Sequence, residues 1–374
     1  MLKIIDSDNQ AKKIAAQWDG IVNSQSQLPN GVGPTSLFDL AMLAKSVHAP
    51  DAVLCIYVST EDGHIDALLP CYSRTRRMGP IEYTQVSLMS DLYPGRTGPL
   101  HRPNDLDALE TLLAEVLTQS ENRALLEISF VGGSESEDCF LRLVKELGIM
   151  AQLISNTPCP YICLPESYER LAESFSQKFK YNLRSREKKL RNSGTLTTHR
   201  FEKSTEVSDF LRYIRNVEQG SWKESAGTSL TKNPRQQTFH ERMAPICAQQ
   251  RILRGYIMFM DDEPIAHIIG LYAHSIFYCL KSSFVESYRK FSPGVILKAL
   301  VLQELIPERA RYWDFVGPAE DHKMQWTSDK YILNKYAIYS NGLLGRFLSM
   351  RSDLSQRFRD IRQSILDRST GSVV

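Results

Sequence analysis

The segment YRKFSPG, Tyr288–Gly294, constrains this chain more than any other. It lies between a strand-like run, Ile276–Phe284 (IFYCLKSSF), and an apolar helical run, Val295–Ile306 (VILKALVLQELI). A strand, a short basic turn and a helix N-terminus together make an anion site. The first-turn N–H groups of a helix are unpaired, and its dipole adds partial positive charge there. Pro293 suits the first turn, where its missing N–H would have had no partner. Gly294 lets a phosphate approach the backbone. Arg289 and Lys290 add charge. An ordinary strand–turn–helix joint has the same outline, so the turn has to be weighed with the rest of the chain.

Charge supports the anion reading. Residues 1–165 carry 12 Lys and Arg against 20 Asp and Glu, whereas the remainder carries 33 against 23. The net charge of +2 therefore hides a basic second half, which would suit a coenzyme A, a nucleotide-linked sugar or a tRNA. The 374 residues suffice for two domains. No apolar run reaches the ~20 residues of a membrane span. The first residues, MLKIIDSDNQAKKIAAQWDG, lack an apolar segment with a cleavage site, so no signal peptide is expected. Seven scattered cysteines fit free thiols in a reducing cytoplasm. Cytoplasmic localisation is the expectation. No metal-ligand cluster, Gly-x-Ser-x-Gly elbow or Walker loop is visible.

Periodicity predicts an α/β (α+β) chain. Residues 9–50 read as helix and loop, 52–59 and 65–73 as paired strands, and 83–89 as a further strand. A Gly- and Pro-dense loop spans 90–105. Helices are predicted over 106–119 and 135–148, with a strand at 124–132 between them. A boundary is placed near Pro158–Pro165. The second half opens with one helix over 166–194, then a strand, two helices and three antiparallel strands around Asp261-Asp262 and Ala273-His274. YWDFVG (312–317) is expected as a last buried strand and KYAIYS (335–340) as an edge strand. The expected domains are 1–163, 164–345 and a basic helical tail over 346–374.

The turn resembles the acyl-CoA pyrophosphate loop of the GNAT acyltransferases, with Arg289 first, Ser292 where glycine is usual, and Gly294 last. The chain is similar, over roughly 165–345, to the CelD-like branch of that superfamily. The carrying residues are Arg184, Arg186, Lys189, Leu190 and Gly194; Ser221, Trp222 and Lys223; Ser292, Pro293 and Gly294; and Asp314, Gly317 and His322-Lys323, with His where Tyr is usual. More weakly, the first half resembles the first lobe of the same proteins, distant relatives of the Fem peptidoglycan aminoacyltransferases. The resemblance implies two tandem GNAT-like lobes with mixed central sheets. It implies N-acyl transfer, acetyl from acetyl-CoA or another acyl-CoA, to an amine on a sugar or amino-acid-derived acceptor in bacterial polysaccharide or cell-surface metabolism. A nucleotide-linked sugar would be one such small-molecule acceptor; DNA is not an expected partner. The alternatives are Fem-like transfer from aminoacyl-tRNA, or a degenerate lobe pair that only binds.

Acyl transfer needs a polarised carbonyl, a proton acceptor and held reactants. The resemblance implies that strands 276–284 and 312–317 splay to admit the donor arm, with a backbone N–H near Leu280, Lys281 or Ser282 as polariser. Arg289, Lys290, Ser292, Pro293 and Gly294 would hold the donor phosphates. The loop 317–326 crowds Glu320, Asp321, His322 and Lys323 at a strand end, where such sheets place ligands. Asp314, His322 and Lys323 are the catalytic candidates. Trp222 and Lys223 are substrate candidates, with Arg184 from the basic helix and Asp91 and Tyr93 from the Gly/Pro loop. His267 is read mainly as a hydrogen-bonded strand histidine.

Overall fold

The computed structural model describes residues 2–25, 31–61, 63–92, 95–96, 98–103, 105–119 and 123–352. The first half runs β1 (Leu2–Ile5), α1 (Asp8–Gln25), α2 (Phe38–His48), β2 (Val53–Glu61), β3 (His64–Met78), β4 (Ile81–Leu88), β5 (Leu100–His101), α3 (Leu106–Thr118), β6 (Leu125–Val131), α4 (Glu135–Glu146) and β7 (Ala151–Cys163). The second runs α5 (Tyr168–Glu173), α6 (Gln177–Arg191), β8 (Leu196–Phe201), α7 (Val207–Gln219), α8 (Trp222–Ser225), α9 (Pro234–Gln249), β9 (Leu253–Met260), β10 (Glu263–Ala273), β11 (Ile276–Phe284), α10 (Pro293–Leu305), β12 (Tyr312–Asp314), α11 (Asp321–Met324) and β13 (Lys330–Tyr339).

This is an α/β fold with a mixed sheet. Among the described residues the strands form one continuous sheet in the order β1-β2-β3-β4-β6-β13-β7-β12-β11-β10-β9-β8, with β5 beside β3. The halves repeat one pattern. Three antiparallel strands lead through a loop to a helix and then to a strand parallel to the third. In the first half these are β2, β3, β4, α3 and β6; in the second, β9, β10, β11, α10 and β12. The tandem-lobe expectation is met at this level.

The closing strands are exchanged. β13, at the end of the second half, is hydrogen-bonded between β6 and β7, with Lys335 opposite Ser129 and Ser155. β7, at the end of the first half, continues past it to pair Cys163, Ile162 and Tyr161 with β12. KYAIYS was expected at an edge and is interior instead. Its alternation of Tyr and aliphatic residues suits a strand covered on both sides, but periodicity says nothing of neighbours. The expected boundary at 158–165 falls inside β7, which joins the two repeats. The single helix expected over 166–194 is two, because Ser176 starts α6 by accepting from the Phe179 N–H. Of the expected basic tail, 346–352 belongs to a helix that begins at 343, and 353–374 lies outside the described residues.

One apolar core spans the halves. Leu40, Leu43 and Val47 on α2 cluster with Phe239, Met243 and Cys247 on α9, with Ile257 on β9 and with Tyr278 on β11. Each such fully buried large side chain contributes about 1.5–3 kcal/mol. A second core packs α10 on the sheet. Its sequence is apolar all round, so Ile296, Leu297, Val301, Leu302 and Leu305 are all buried.

Candidate functional site

The site begins with a defect in β11. In its pairing with β10, Lys281 faces Ile269 and Cys279 faces Gly270, so Leu280 is the extra residue of a bulge. A bulge bends the strand and frees its backbone. On the other side β12 accompanies β11 only through the pairs Ile276–Tyr312, Phe277–Trp313 and Tyr278–Asp314. Beyond that point Cys279–Phe284 has no parallel partner, and the chain leaves β12 through Val316, whose φ is 45°. That conformation is costly for a β-branched residue. The Asp314 carboxylate helps hold it, accepting the Val316 N–H at 2.8 Å.

The gap so opened is a cavity of about 350 Å³ beside β11, at the mouth of α10. Trp222 and Lys223, Ser282, Arg289, Ser292 and Gly294, and His322 all line it, joined by Lys298. Six of the residue positions chosen from sequence for donor or substrate thus converge, along with one of the three catalytic candidates.

The turn before α10 leaves the helix start without a side-chain cap. Ser292 takes the left-handed conformation at φ 52° and makes no side-chain cap to α10, whose first turn holds no acid. Its hydroxyl accepts from Arg186 Nη1 at 2.7 Å, which brings α6 to the mouth. A Cβ at Gly294 would meet only Phe284 Cδ1, at 3.4 Å, so neither packing nor φ demands glycine there. What glycine does is leave the first turn uncovered. Arg289 is exposed and paired with Glu286 at 2.9 Å. Lys290 lies over the Phe291 ring at 4.9 Å and does not line the cavity.

Lysines dominate the inner wall. Lys223 Nζ donates to the Ser282 carbonyl at 2.8 Å. Burial, then the charges of Lys281 and Lys298, bring its ammonium down to about 8. Lys298 is 7% exposed, donates to Ser282 Oγ at 3.2 Å, and is pushed down by burial. Burial also lowers Lys281. His322 on α11 is lowered by burial and by Lys298, so it faces the cavity as a neutral imidazole at neutral pH. Lys323 turns aside, donating to the Pro318 carbonyl at 3.0 Å and pairing with Glu320 at 3.3 Å.

Behind this wall lies a buried pair. His267 Nε2 and Glu218 Oε1 are 2.9 Å apart, both side chains fully enclosed. Burial alone would raise Glu218, but the hydrogen bond from His267, then Lys281 and the Leu230 N–H, outweigh it and hold the carboxyl at about 2. Burial keeps His267 lowered and neutral against the pull of Glu218. The histidine therefore acts as a donor to a carboxylate, close to the hydrogen-bonded role expected.

Asp314 is placed otherwise than a working base. It is 0% exposed, with Arg96 Nε at 3.2 Å and the Tyr331 hydroxyl at 3.2 Å from Oδ2. Burial raises it and Arg96 opposes that shift. Arg96 comes from the first half's Gly/Pro loop, also donates to the Gly31 carbonyl and the Tyr278 hydroxyl at 2.8 Å each, and lies 5.5 Å over the Tyr278 ring. The carboxylate thus clasps that loop to the second half. Asp91, expected near an acceptor, is instead paired with Lys335 at 3.1 Å and accepts from Ser129 Oγ at 3.0 Å. Tyr93 lies outside the described residues. Arg184 is exposed on α6 and does not reach the cavity. Sequence reading missed Lys298, whose signal was a single lysine within the apolar run 295–302, and Glu218, which had none.

Among the described residues no cluster of three or more His, Cys, Asp and Glu is arranged to hold a metal ion. No helix among them is long and apolar enough to cross a membrane.

Comparisons with known proteins agree with this geometry. No curated protein matches the chain. The structure of FemX superposes with a TM-score of 0.58 at 13% identity, covering 91% of this chain and 98% of that one. A Bacteroides thetaiotaomicron protein of unknown function gives 0.54 at 13%, covering 91% and 100%. The C-terminal domain of an Agrobacterium fabrum protein described as a lysylphosphatidylglycerol synthetase gives 0.51 at 11%, covering 91% and 95%. At such identities the likeness is one of fold. Residues 177–324, which carry the bulged strand, the uncapped helix and the lysine wall, match the acetyltransferase (GNAT) domain family. The chain thus has a GNAT-superfamily fold, and within its second half residues 177–324 are similar to the acetyltransferase (GNAT) domain family.

Proposed function

We propose that the protein transfers an aminoacyl group from a charged tRNA to an amine of a sugar or amino-acid-derived acceptor. One observation carries the choice of donor. The basic helix α6 abuts the donor mouth through Arg186 and Ser292, and from there its exposed face runs outward with Lys178, Tyr181, Arg184, Lys188 and Arg191. A compact donor ends at the mouth; a polynucleotide continues past it and needs such a surface, with cations for phosphates and a ring for a base. The likeness to FemX across both halves supports the same order of preference, the reverse of that drawn from the sequence. In this reading the terminal phosphate meets the first turn of α10 at Gly294, with Arg289 and Arg186 beside it. The acyl carbonyl lies along β11 near Leu280, and His322 and Trp222 face the acceptor. Asp91 and Asp314 keep the structural places described above.

A second reading, transfer from acetyl-CoA or another acyl-CoA, is favoured by the uncapped α10 N-terminus and the match of residues 177–324 to an acetyltransferase family. Filter binding of mixed aminoacyl-tRNA and calorimetry with acetyl-CoA separate the two. The first reading expects salt-steep tRNA binding, and reversal of Arg184, Lys188 and Arg191 to Glu lowers the salt slope by about three. Acetyl-CoA binding without tRNA binding moves the assignment to the second reading. Binding of neither donor leaves a lobe pair that acts as a binding subunit.

A further inference from the structure

We infer that Lys223 is the proton acceptor of the transfer, taking a proton from the acceptor's ammonium so that its nitrogen can attack. The inference rests on the acyl-transfer reading and is the same for either donor.

Two geometric facts carry it, and the charge around Lys223 supports them. Lys223 lines the cavity beside the unpaired stretch of β11, where the donor's acyl end would lie. Its Nζ donates to the Ser282 carbonyl at 2.8 Å. An amine held by one N–H is oriented, and once neutral it presents its lone pair to the cavity. The flanking cations are fixed from different elements, Lys281 on β11 and Lys298 on α10, so the charged form of Lys223 is opposed from two sides. Asp314, Glu218 and Lys323 do not line the cavity and are engaged elsewhere: Asp314 is locked by Arg96, Glu218 is spent on His267 and the Leu230 N–H, and Lys323 is tied to Glu320 and Pro318. His322 does line it and is the competing candidate; if it were the base, the acidic limb would stand below the ordinary histidine value and persist in Lys223→Met.

The remaining groups facing Lys223 leave this balance standing. Glu218 on α7 and Glu320 before α11 favour its charged form, but burial and the two lysines outweigh them, and it titrates at about 8. His267, Cys279 and His322 also lie within its field. The first two are buried; neither histidine carries charge at neutral pH, because burial lowers both. An amine near 8 is half neutral close to working pH, the condition for an efficient general base.

The step balances. The acceptor ammonium gives one proton to Lys223 Nζ. Its freed lone pair forms the C–N bond at the donor carbonyl. The acyl C–O bond to the tRNA ribose breaks (C–S with coenzyme A), and the leaving oxygen or sulfur takes the second proton of the attacking nitrogen. Lys223 then returns its proton to water at the cavity mouth.

The test has two arms on the full chain. Pulses of acetic anhydride across pH 6–11, read by peptide mass spectrometry, measure how each lysine titrates without any substrate. Lys223 should reach half reactivity near pH 8, against about 10.4 for a lysine in water. Lys281→Met and Lys298→Met should each move the Lys223 midpoint upward. If Lys223 titrates with the surface lysines, or neither variant moves it, the inference is overturned whatever the donor. The second arm is the pH–rate profile with aminoacyl-tRNA or acetyl-CoA and glucosamine as the amine probe. The acidic limb should fall near pH 8, shift up in Lys298→Met and vanish in Lys223→Met, with a rate loss of about 10²–10⁴. An unchanged limb in Lys223→Met also overturns it. Absence of turnover with both donors counts against the donor readings, and the labelling arm still decides the lysine.

Discussion

The two halves of this molecule repeat one backbone plan and treat the same place in opposite ways. In each, a helix starts beside the end of a strand that has a parallel neighbour. In the second half that helix, α10, begins uncapped, with no acid in its first turn and Arg186 at its mouth. In the first half α3 is capped by Asp105, which accepts from the Ala108 N–H at 3.2 Å, and carries Asp107 in its first turn. The gap beside the strand differs as well. Beyond Phe284's strand lies the lysine-walled cavity. Beyond β4 lie Asp91, Ser129, Glu127 and Lys335, joined by an ion pair at 2.8 Å between Lys335 and Glu127 and another to Asp91. The start of the helix is occupied by the chain's own carboxylate in one copy and left uncapped in the other. The backbone supplies the place; capping and charge decide whether a ligand or a side chain occupies it.

That contrast can be broken by substitution. The largest effect belongs to the clasp between the halves. Asp314→Asn leaves Arg96 buried without its counter-charge and should destabilise the fold by about 3–5 kcal/mol in chemical denaturation. A loss below about 1 kcal/mol, or a fall in turnover with stability intact, would return Asp314 to the catalytic candidates. Next, Gly294→Glu puts into α10 the acidity that α3 already has. Donor affinity should fall by about 3 kcal/mol, more than a hundredfold, from like charges meeting, while Gly294→Ala folds normally. Equal affinity in the Glu variant would remove the phosphate from this turn. Arg186→Ala should cost about 1.5–2 kcal/mol of donor binding, one charge-assisted hydrogen bond, with a small fall in thermal midpoint from the lost contact to Ser292. Smallest is Asp105→Ala, which should lower stability by about 1 kcal/mol and leave donor binding untouched. If it creates an anion site in the first half, capping alone had kept that copy closed.

How much of this was readable beforehand follows from the range of each interaction. The hairpins at Asp261-Asp262 and Ala273-His274, the apolar helix α10 and the turn before it were legible, because each is set by residues adjacent in sequence. Trp222 and Ser282 were chosen from widely separated segments, and the cavity brings them together. The exchange of β7 and β13 was not legible, since strand neighbours are settled by pairing over more than a hundred residues. Asp314 looked available because Arg96, its partner, lies far upstream in a loop with no periodicity. Lys298 and Glu218 were passed over for the same reason: a buried charge is informative only once its surroundings are known.

The exchange has a consequence for how the protein is made. When Cys163 leaves the ribosome, β6 and β7 still wait for β13, which ends at Tyr339. At the usual 5–20 residues per second, the edges of both strands that face β13 stay unpaired by it for roughly ten to thirty seconds during synthesis. Through that interval Leu125–Val131 and Ala151–Cys163 are open to pairing with each other or with another nascent chain. A gene cut between the halves would make that interval permanent for the first fragment.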